Sequence, residues 1–220
     1  MRRLLIIGCG DVMRRTLPLL VRRWRVMALV RRRDPALTAL GVTQIEGDLD
    51  HPETLKRLTG ISDAVIHSAP PPTEGKDDPR TGRLLALLQR GKSLPRRLIY
   101  ISTSGVYGDC GGALVAETRA ANAKSARAAR RVDAEARLRH FGRRLGGLCR
   151  VSILRAPGIY AGDRLPLERL HRGLPLMRQR PPWRRPKRRR RASASTRRAA
   201  RADFALAVRV SATSAPPQSP

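Results

Sequence analysis

The sequence predicts an α/β protein with a doubly wound parallel sheet. Six apolar runs of four or five residues alternate with segments of helical periodicity along residues 1–176. This order joins neighbouring parallel strands through helices. The first run, Leu4–Ile7, ends in a Gly-x-Gly turn that opens into a helix, which is typical of the first strand of a Rossmann-like sheet. With 220 residues, 41% of them apolar, the chain is long enough to bury one such core.

Each predicted element follows from a local pattern. Runs rich in Val, Ile and Leu predict buried strands, and Asp-Pro and His-Pro pairs predict helix entrances because proline is favoured in the first helical turn. The predicted strands are Leu4–Ile7, Val26–Val30, Thr43–Glu46, Ala64–His67, Leu98–Ser102 and Val151–Leu154. The predicted helices are Val12–Arg22, Pro35–Leu40, Pro52–Leu58, Arg80–Leu88 and Arg127–Phe141.

The turn after the first strand predicts a site for a dinucleotide pyrophosphate. Gly8 permits a tight turn, and Gly10 lets the backbone approach the phosphates closely. The backbone N–H groups of Asp11 and Val12 at the helix start attract the anion. Met13 stands where the third glycine of the fingerprint would be.

The formal charge of +29 is unevenly distributed. Residues 177–220 hold 13 Lys and Arg against one acidic residue, in an Arg/Pro/Ser/Ala-rich composition that cannot build a core. We therefore expect a nucleotide-binding domain over residues 1–176 and a basic, disordered tail over residues 177–220. Basic runs bind phosphates through counterion release, so nucleic acid is a possible partner of residues 178–201 alone.

The cysteines and the apolar segments define the expected compartment. Cys9, Cys110 and Cys149 have no metal-ligand spacing and are odd in number, which fits a reducing cytosol and predicts no metal site. No apolar run reaches the roughly 20 residues of a membrane span. The expected location is the cytoplasm, with no membrane partner.

Four further segments resemble the extended and atypical short-chain dehydrogenase/reductases, in particular the NAD(P)-dependent epimerase/dehydratase-like proteins. The resemblance covers residues 3–176. The segments are Gly47-Asp48-Leu49, His67-Ser68-Ala69-Pro70-Pro71, Tyr100–Asp109 and Arg155–Tyr160.

The resemblance implies roles for several residues in these segments. It places Thr103, with Ser104 beside it, at the position of the active-site hydroxyl. It places Asp48 and Leu49 near the adenine, Ala69 and Pro70 near the ribose and nicotinamide, and Arg155 near the nicotinamide and substrate.

The residues after the second strand bear on the choice of cofactor. An acidic side chain there would bind the ribose hydroxyls of NAD, whereas arginines accommodate the 2′-phosphate of NADP. Arg31 and Arg32 follow Val30 directly, which favours NADP and leaves NAD possible.

The Tyr-x-x-x-Lys pair of the family is missing. The resemblance aligns Arg127 with the tyrosine and Arg131 with the lysine, counting back from Glu135. Arginine cannot donate a proton at neutral pH, because its pKa exceeds roughly 12. An oxidoreductase or epimerase would then need Thr103, a water or another hydroxyl such as Tyr160 to move the proton.

Other interpretations stay open beside catalysis on an unknown small-molecule substrate. The protein could bind NADP without turnover, as a sensor or scaffold. It could also be a degenerate product whose reading frame changes near Leu176. Locally, Asp48 could cap the helix near Pro52, His67 could be a packed residue, and the Thr103 and Ser104 hydroxyls could satisfy a turn.

Overall fold

The computed structural model describes residues 1–111, 113–161 and 163, and Met1–Gly158 form one compact unit. A six-stranded parallel sheet runs through this unit in the order β3-β2-β1-β4-β5-β6. The strands are β1 (Arg2–Ile7), β2 (Trp24–Val30), β3 (Thr43–Glu46), β4 (Ala64–His67), β5 (Arg97–Thr103) and β6 (Arg150–Ala156). All six predicted strands and the doubly wound order are thus confirmed. The predicted basic tail, residues 177–220, and the boundary at residue 176 lie outside the described residues.

Four of the predicted helices are α-helices, and their ends lie within three residues of the predicted bounds. They are α1 (Asp11–Leu20), α2 (Pro35–Ala39), α3 (Pro79–Gln89) and α4 (Ala126–Arg144). The side chains of Asp34, Asp78 and Ser125 accept hydrogen bonds from the first turns of α2, α3 and α4. Pro52–Leu58, predicted as a helix, is a 3-10 helix, and a second 3-10 helix spans Ser104–Tyr107.

Apolar side chains on the two faces of the sheet form two core layers. One layer packs α1 and α2 against the sheet and includes Leu4, Ile6 and Met13. The other packs α3, α4 and the first 3-10 helix against the opposite face and includes Leu5 and Ile7. Met13 is 4% exposed, so the side chain that replaces the third glycine is used as a core residue between helix and sheet.

The parallel register brings the carboxyl ends of the strands to one edge of the sheet. Ile7, the last residue of β1, lies beside Leu29 of β2 and His67 of β4, and His67 lies beside Tyr100 of β5. The loops that follow these strands therefore meet at the edge where open α/β sheets bind ligands. No helix in the described part of the chain is long and apolar enough to cross a membrane.

Candidate functional site

Glycine is present at positions 8 and 10 of the first turn for two different structural reasons. Gly8 has a φ of +88°, and a Cβ built on it would lie 2.4 Å from the backbone nitrogen of Ala69, so the fold itself requires glycine there. Gly10 has extended backbone angles, with φ −81° and ψ −169°. A Cβ on Gly10 would meet no atom within 4 Å. Glycine at position 10 therefore leaves an open space before α1 that no atom of the described residues fills.

The predicted residues Gly8 and Ala69 are in direct contact across the sheet edge. The Ser68 and Ala69 backbone N–H groups both donate to the Ile7 carbonyl, at 2.8 and 3.0 Å. Pro70 is exposed, and its carbonyl accepts a hydrogen bond from Arg80 Nη1 at 3.1 Å. The loop after β4 thus forms one side of the glycine turn.

Basic side chains dominate the loop after β2. Arg31 and Arg32 are exposed, and neither side chain forms a hydrogen bond or ion pair with another described residue. The acidic residue of this loop, Asp34, is held by Arg14 of α1, with Arg14 Nη2 2.5 Å from Asp34 Oδ2. The hydrogen bond from Arg14 lowers the pKa of Asp34. Arg14 also donates from Nε to the Cys9 carbonyl at 3.3 Å, so it links this loop to the glycine turn.

In the turn after β3, the side chains of Asp48 and Leu49 have different surroundings. Asp48 Oδ1 accepts a hydrogen bond from the Asp50 N–H at 3.0 Å. The residue that precedes the 3-10 helix is His51, which makes no side-chain capping bond, so the alternative in which Asp48 caps that helix is wrong. Leu49 is 6% exposed and packs in the core, and its carbonyl accepts a hydrogen bond from Arg83 Nη1 at 3.1 Å.

Thr103 ends β5 and begins the second 3-10 helix. Its Oγ1 accepts a hydrogen bond from the Gly105 N–H at 3.2 Å, which confirms that this hydroxyl satisfies a turn. Accepting that bond leaves the hydroxyl proton available to donate. Ser104 lies next to it in the first turn of the 3-10 helix and is half-buried.

Arg155, which the resemblance places near the nicotinamide, is committed to a buried carboxylate. Its Nη2 lies 2.6 Å from Glu135 Oε2, and its Nε lies 3.0 Å from Oε1. Burial alone would raise the pKa of Glu135, but hydrogen bonds from Arg155, Ser102 and Arg139 outweigh it and lower that pKa. The Arg155 guanidinium also lies 4.6 Å from the centre of the Tyr107 ring. Its contacts therefore hold the loop that carries Thr103.

The two arginines aligned with the Tyr-x-x-x-Lys pair do not form a proton donor. Arg127 is exposed, and α4 contains no tyrosine. Arg131 Nη1 donates to the Tyr100 hydroxyl at 3.0 Å and to the Ile101 carbonyl at 2.8 Å. Tyr100 is fully buried, and burial raises its pKa to about 12. This phenol therefore stays protonated at neutral pH and is shielded from solvent.

His67 is a structural residue, as one interpretation of the sequence had it. It is 1% exposed, and its Nε2 lies 2.9 Å from Thr81 Oγ1. Thr81 Oγ1 lies 2.7 Å from Asp78 Oδ2 and donates to it, so the His67 Nε2–H donates to Thr81. Burial lowers the pKa of His67 to about 3, which keeps the ring neutral.

Two site residues were missed at the level of sequence. Ser68 donates from Oγ to the Gly8 carbonyl at 2.5 Å, and Arg14 joins the glycine turn to Asp34 as described above. Ser68 follows the end of a predicted strand, which is a signal that could have pointed to it. The partners of Arg14 depend on tertiary structure. The described residues contain no group of three or more His, Cys, Asp or Glu side chains that could hold a metal ion.

Comparison with solved structures identifies the class of fold. The chain is similar to UDP-glucuronic acid 4-epimerase from Bacillus cereus in complex with NAD, with a TM-score of 0.61, 22% identity and coverage of 79% of this chain and 64% of that one. It is similar to the UDP-Glc/GlcNAc 4-epimerase from Campylobacter jejuni, with a TM-score of 0.60, 20% identity and coverage of 76% and 58%. Vestitone reductase from alfalfa gives a TM-score of 0.58, 19% identity and coverage of 70% and 56%.

The chain therefore has the Rossmann-like α/β fold of these proteins, which confirms the predicted fold class. The chain spans less than two thirds of the length of these proteins. No protein-family model and no curated protein matches the sequence.

Proposed function

We propose that this protein binds a nicotinamide dinucleotide at the carboxyl edge of the sheet, with NADP preferred over NAD. The observation that carries the proposal is the open space at Gly10. Backbone angles there suit any residue, and a Cβ would meet no atom of the described residues within 4 Å, so glycine leaves room for a group that these residues do not supply. The N–H groups at a helix N-terminus attract anions, so a pyrophosphate is the group we assign to this space.

The surrounding residues support the same ligand. Arg31 and Arg32 present two uncommitted cations after β2, where a 2′-phosphate is recognised. Asp34, the acidic side chain nearby that could bind ribose hydroxyls, is paired with Arg14. In this proposal Asp48 binds the adenine, and the backbone of Ala69 and Pro70 lies beside the ribose. Two of the similar structures contain NAD.

A redox or epimerase reaction is the proposed activity, with Thr103 as the residue that contacts the reacting group and Ser104 beside it. When bound, the nicotinamide would supply a hydride to a carbonyl as NADPH, or accept one from an alcohol as NADP⁺ and return it in an epimerisation. The Thr103 hydroxyl can donate a hydrogen bond to a substrate carbonyl while it accepts one from Gly105. Among solved structures with this fold, one is in complex with UDP-glucose and NAD, so nucleotide sugars are the first substrate class to test.

A second candidate function is NADP binding without turnover, as in a sensor or scaffold. Arg131 occupies the lysine position and donates hydrogen bonds to the Tyr100 hydroxyl and the Ile101 carbonyl. The two positions of α4 that align with the Tyr-x-x-x-Lys pair therefore supply no acid to a substrate. Both candidates require the same cofactor site, and they differ only in the proton transfer.

Calorimetric titration with NADPH and NADH tests the shared proposal. We expect micromolar binding of NADPH and weaker binding of NADH, and no binding of either by folded protein would overturn it. Loss of NADPH absorbance on addition of small carbonyl compounds, and conversion of a nucleotide sugar to its epimer in the presence of NADP⁺, separate the two candidates. Turnover that a Thr103→Ala variant lacks supports the enzyme, and binding without turnover across the panel supports the sensor or scaffold.

A further inference from the structure

The Ser68 hydroxyl makes a contact that the attachment of its own loop does not need. The loop after β4 is already joined to β1 by two backbone hydrogen bonds, from the Ser68 and Ala69 N–H groups to the Ile7 carbonyl. The hydroxyl donates instead to the next carbonyl, that of Gly8, at 2.5 Å, with the Ile7 carbonyl 3.3 Å away. A hydroxyl carries one proton, so the shorter contact is the hydrogen bond.

This hydrogen bond fixes the orientation of the peptide between Gly8 and Cys9. The peptide is planar and trans, so its C=O and its N–H point in opposite directions. Because Ser68 holds the Gly8 carbonyl toward the β4 loop, the Cys9 N–H is directed away from that loop. Gly8 has a φ of +88°, and glycine populates many backbone conformations, so this peptide would otherwise be free to rotate.

We propose that Ser68 is a positioning residue of the dinucleotide turn, which orients the Cys9 N–H toward the bound pyrophosphate by holding the Gly8 carbonyl. This inference rests on the proposed function and goes beyond it, since it assigns the preorganisation of the phosphate cradle to a side chain in the loop after β4. Donors that are oriented before binding cost less to order when the anion arrives.

The test compares Ser68→Ala and Ser68→Thr by calorimetric titration with two ligands. NADPH carries the pyrophosphate, whereas adenosine 2′-monophosphate carries only the 2′-phosphate end. The Ser68→Ala variant should bind NADPH about tenfold more weakly, because the Cys9 N–H is no longer held in the orientation that donates a hydrogen bond to the pyrophosphate. It should bind adenosine 2′-monophosphate as the unaltered protein does. Ser68→Thr retains a hydroxyl and should restore NADPH affinity to within about threefold.

Thermal unfolding of each variant and a Ser152→Ala control, on the exposed part of β6, accompany the titrations. Unchanged NADPH affinity in Ser68→Ala would overturn the inference while leaving the proposed function intact. An equal loss for both ligands would also overturn it, because that result indicates a general structural role. Failure of the unaltered protein to bind NADPH overturns the proposed function and the inference together.

Discussion

Arg155 of β6 and Glu135 of α4 form a buried ion pair with three hydrogen bonds, of 2.6, 3.0 and 3.2 Å. The Glu135 side chain is 0% exposed and that of Arg155 is 13% exposed. Ser102 donates to the same carboxylate at 2.7 Å. The pair thus joins the last strand of the sheet, the longest helix and the strand that leads to Thr103.

Replacing Glu135 with Gln should strongly destabilise the fold. The substitution keeps the size of the side chain and removes its charge, which leaves Arg155 buried without a counter-ion. Breaking a buried pair from one side costs about 3 kcal/mol or more of unfolding free energy. Urea denaturation measures the change, with Glu53→Gln in an exposed pair with His51 as the matched control. Equal effects of the two substitutions would contradict this account.

The contribution of Glu135 should also depend on pH. Its folded pKa lies below the ordinary value of 4.5, so the unfolded chain takes up the proton first as the pH falls. The stabilisation is therefore full above pH 4.5 and is lost as the pH falls through the folded pKa. The stability difference between the unaltered protein and Glu135→Gln should shrink in that acidic range, and a constant difference would count against a charged Glu135.

His67 should make stability fall as the pH drops below 6.5. Its pKa is lowered from 6.5 to about 3 by burial, so between these values the unfolded chain binds a proton that the folded protein excludes. One such group contributes at most about 1.4 kcal/mol per pH unit. Between pH 7 and pH 4, the unfolding free energy measured by urea denaturation should change less with pH for His67→Gln than for the exposed control His140→Gln. Identical slopes would show that His67 titrates alike in both states.

Gly8→Ala should destabilise the protein more than Gly41→Ala. Both glycines have a positive φ, of +88° and +76°, so both alanines carry backbone strain of about 1 kcal/mol. Only at Gly8 would the new Cβ also collide with the backbone of Ala69, at 2.4 Å; at Gly41 no atom lies within 4 Å. Chemical denaturation should show a clearly larger loss for Gly8→Ala. Equal losses would mean that the two loops are not packed as closely as the structure has them.

Arg31 and Arg32 should determine the preference for NADPH. The double variant Arg31→Ala/Arg32→Ala should bind NADPH about tenfold or more weakly and leave NADH affinity unchanged, since only NADPH carries the 2′-phosphate. Added salt should reduce the difference, because the two side chains are exposed. Arg22→Ala/Arg23→Ala, at the amino end of β2, removes the same charge away from the site. The same loss of NADPH affinity in that control would indicate a general charge effect.

The sequence predicted the sheet well because buried parallel strands are marked by their own composition. Thr43–Glu46 and Ala64–His67 match their predicted bounds, whereas β1 starts two residues earlier, at Arg2, because backbone pairing with Trp24 continues beyond the apolar run. Helix α4 is longer than predicted and runs from Ala126 to Arg144. Ser125 caps its start, and its many arginines favour helix.

The site was harder to predict than the fold because long polar side chains choose partners in three dimensions. The resemblance placed Arg155 near a ligand, yet its guanidinium binds Glu135, 20 positions away in the chain. Gly8 and Gly10 look alike in sequence, and only the position of Ala69 separates the glycine that the fold requires from the one that leaves space. The contact of Ser68 with Gly8 joins residues 60 positions apart, which no local pattern encodes.

The most direct test of the central claim is calorimetric titration of Gly10→Val with NADPH, beside the unaltered protein. We expect a valine side chain to occupy the open space with the fold retained, because valine adopts these backbone angles and its Cβ would meet no atom of the described residues within 4 Å. We predict an unchanged melting temperature and NADPH binding weaker by about thirtyfold or more, since the backbone donors can no longer approach the phosphates. Gly10→Val protein that binds NADPH as tightly as the unaltered chain would contradict the assignment of this turn as the pyrophosphate site.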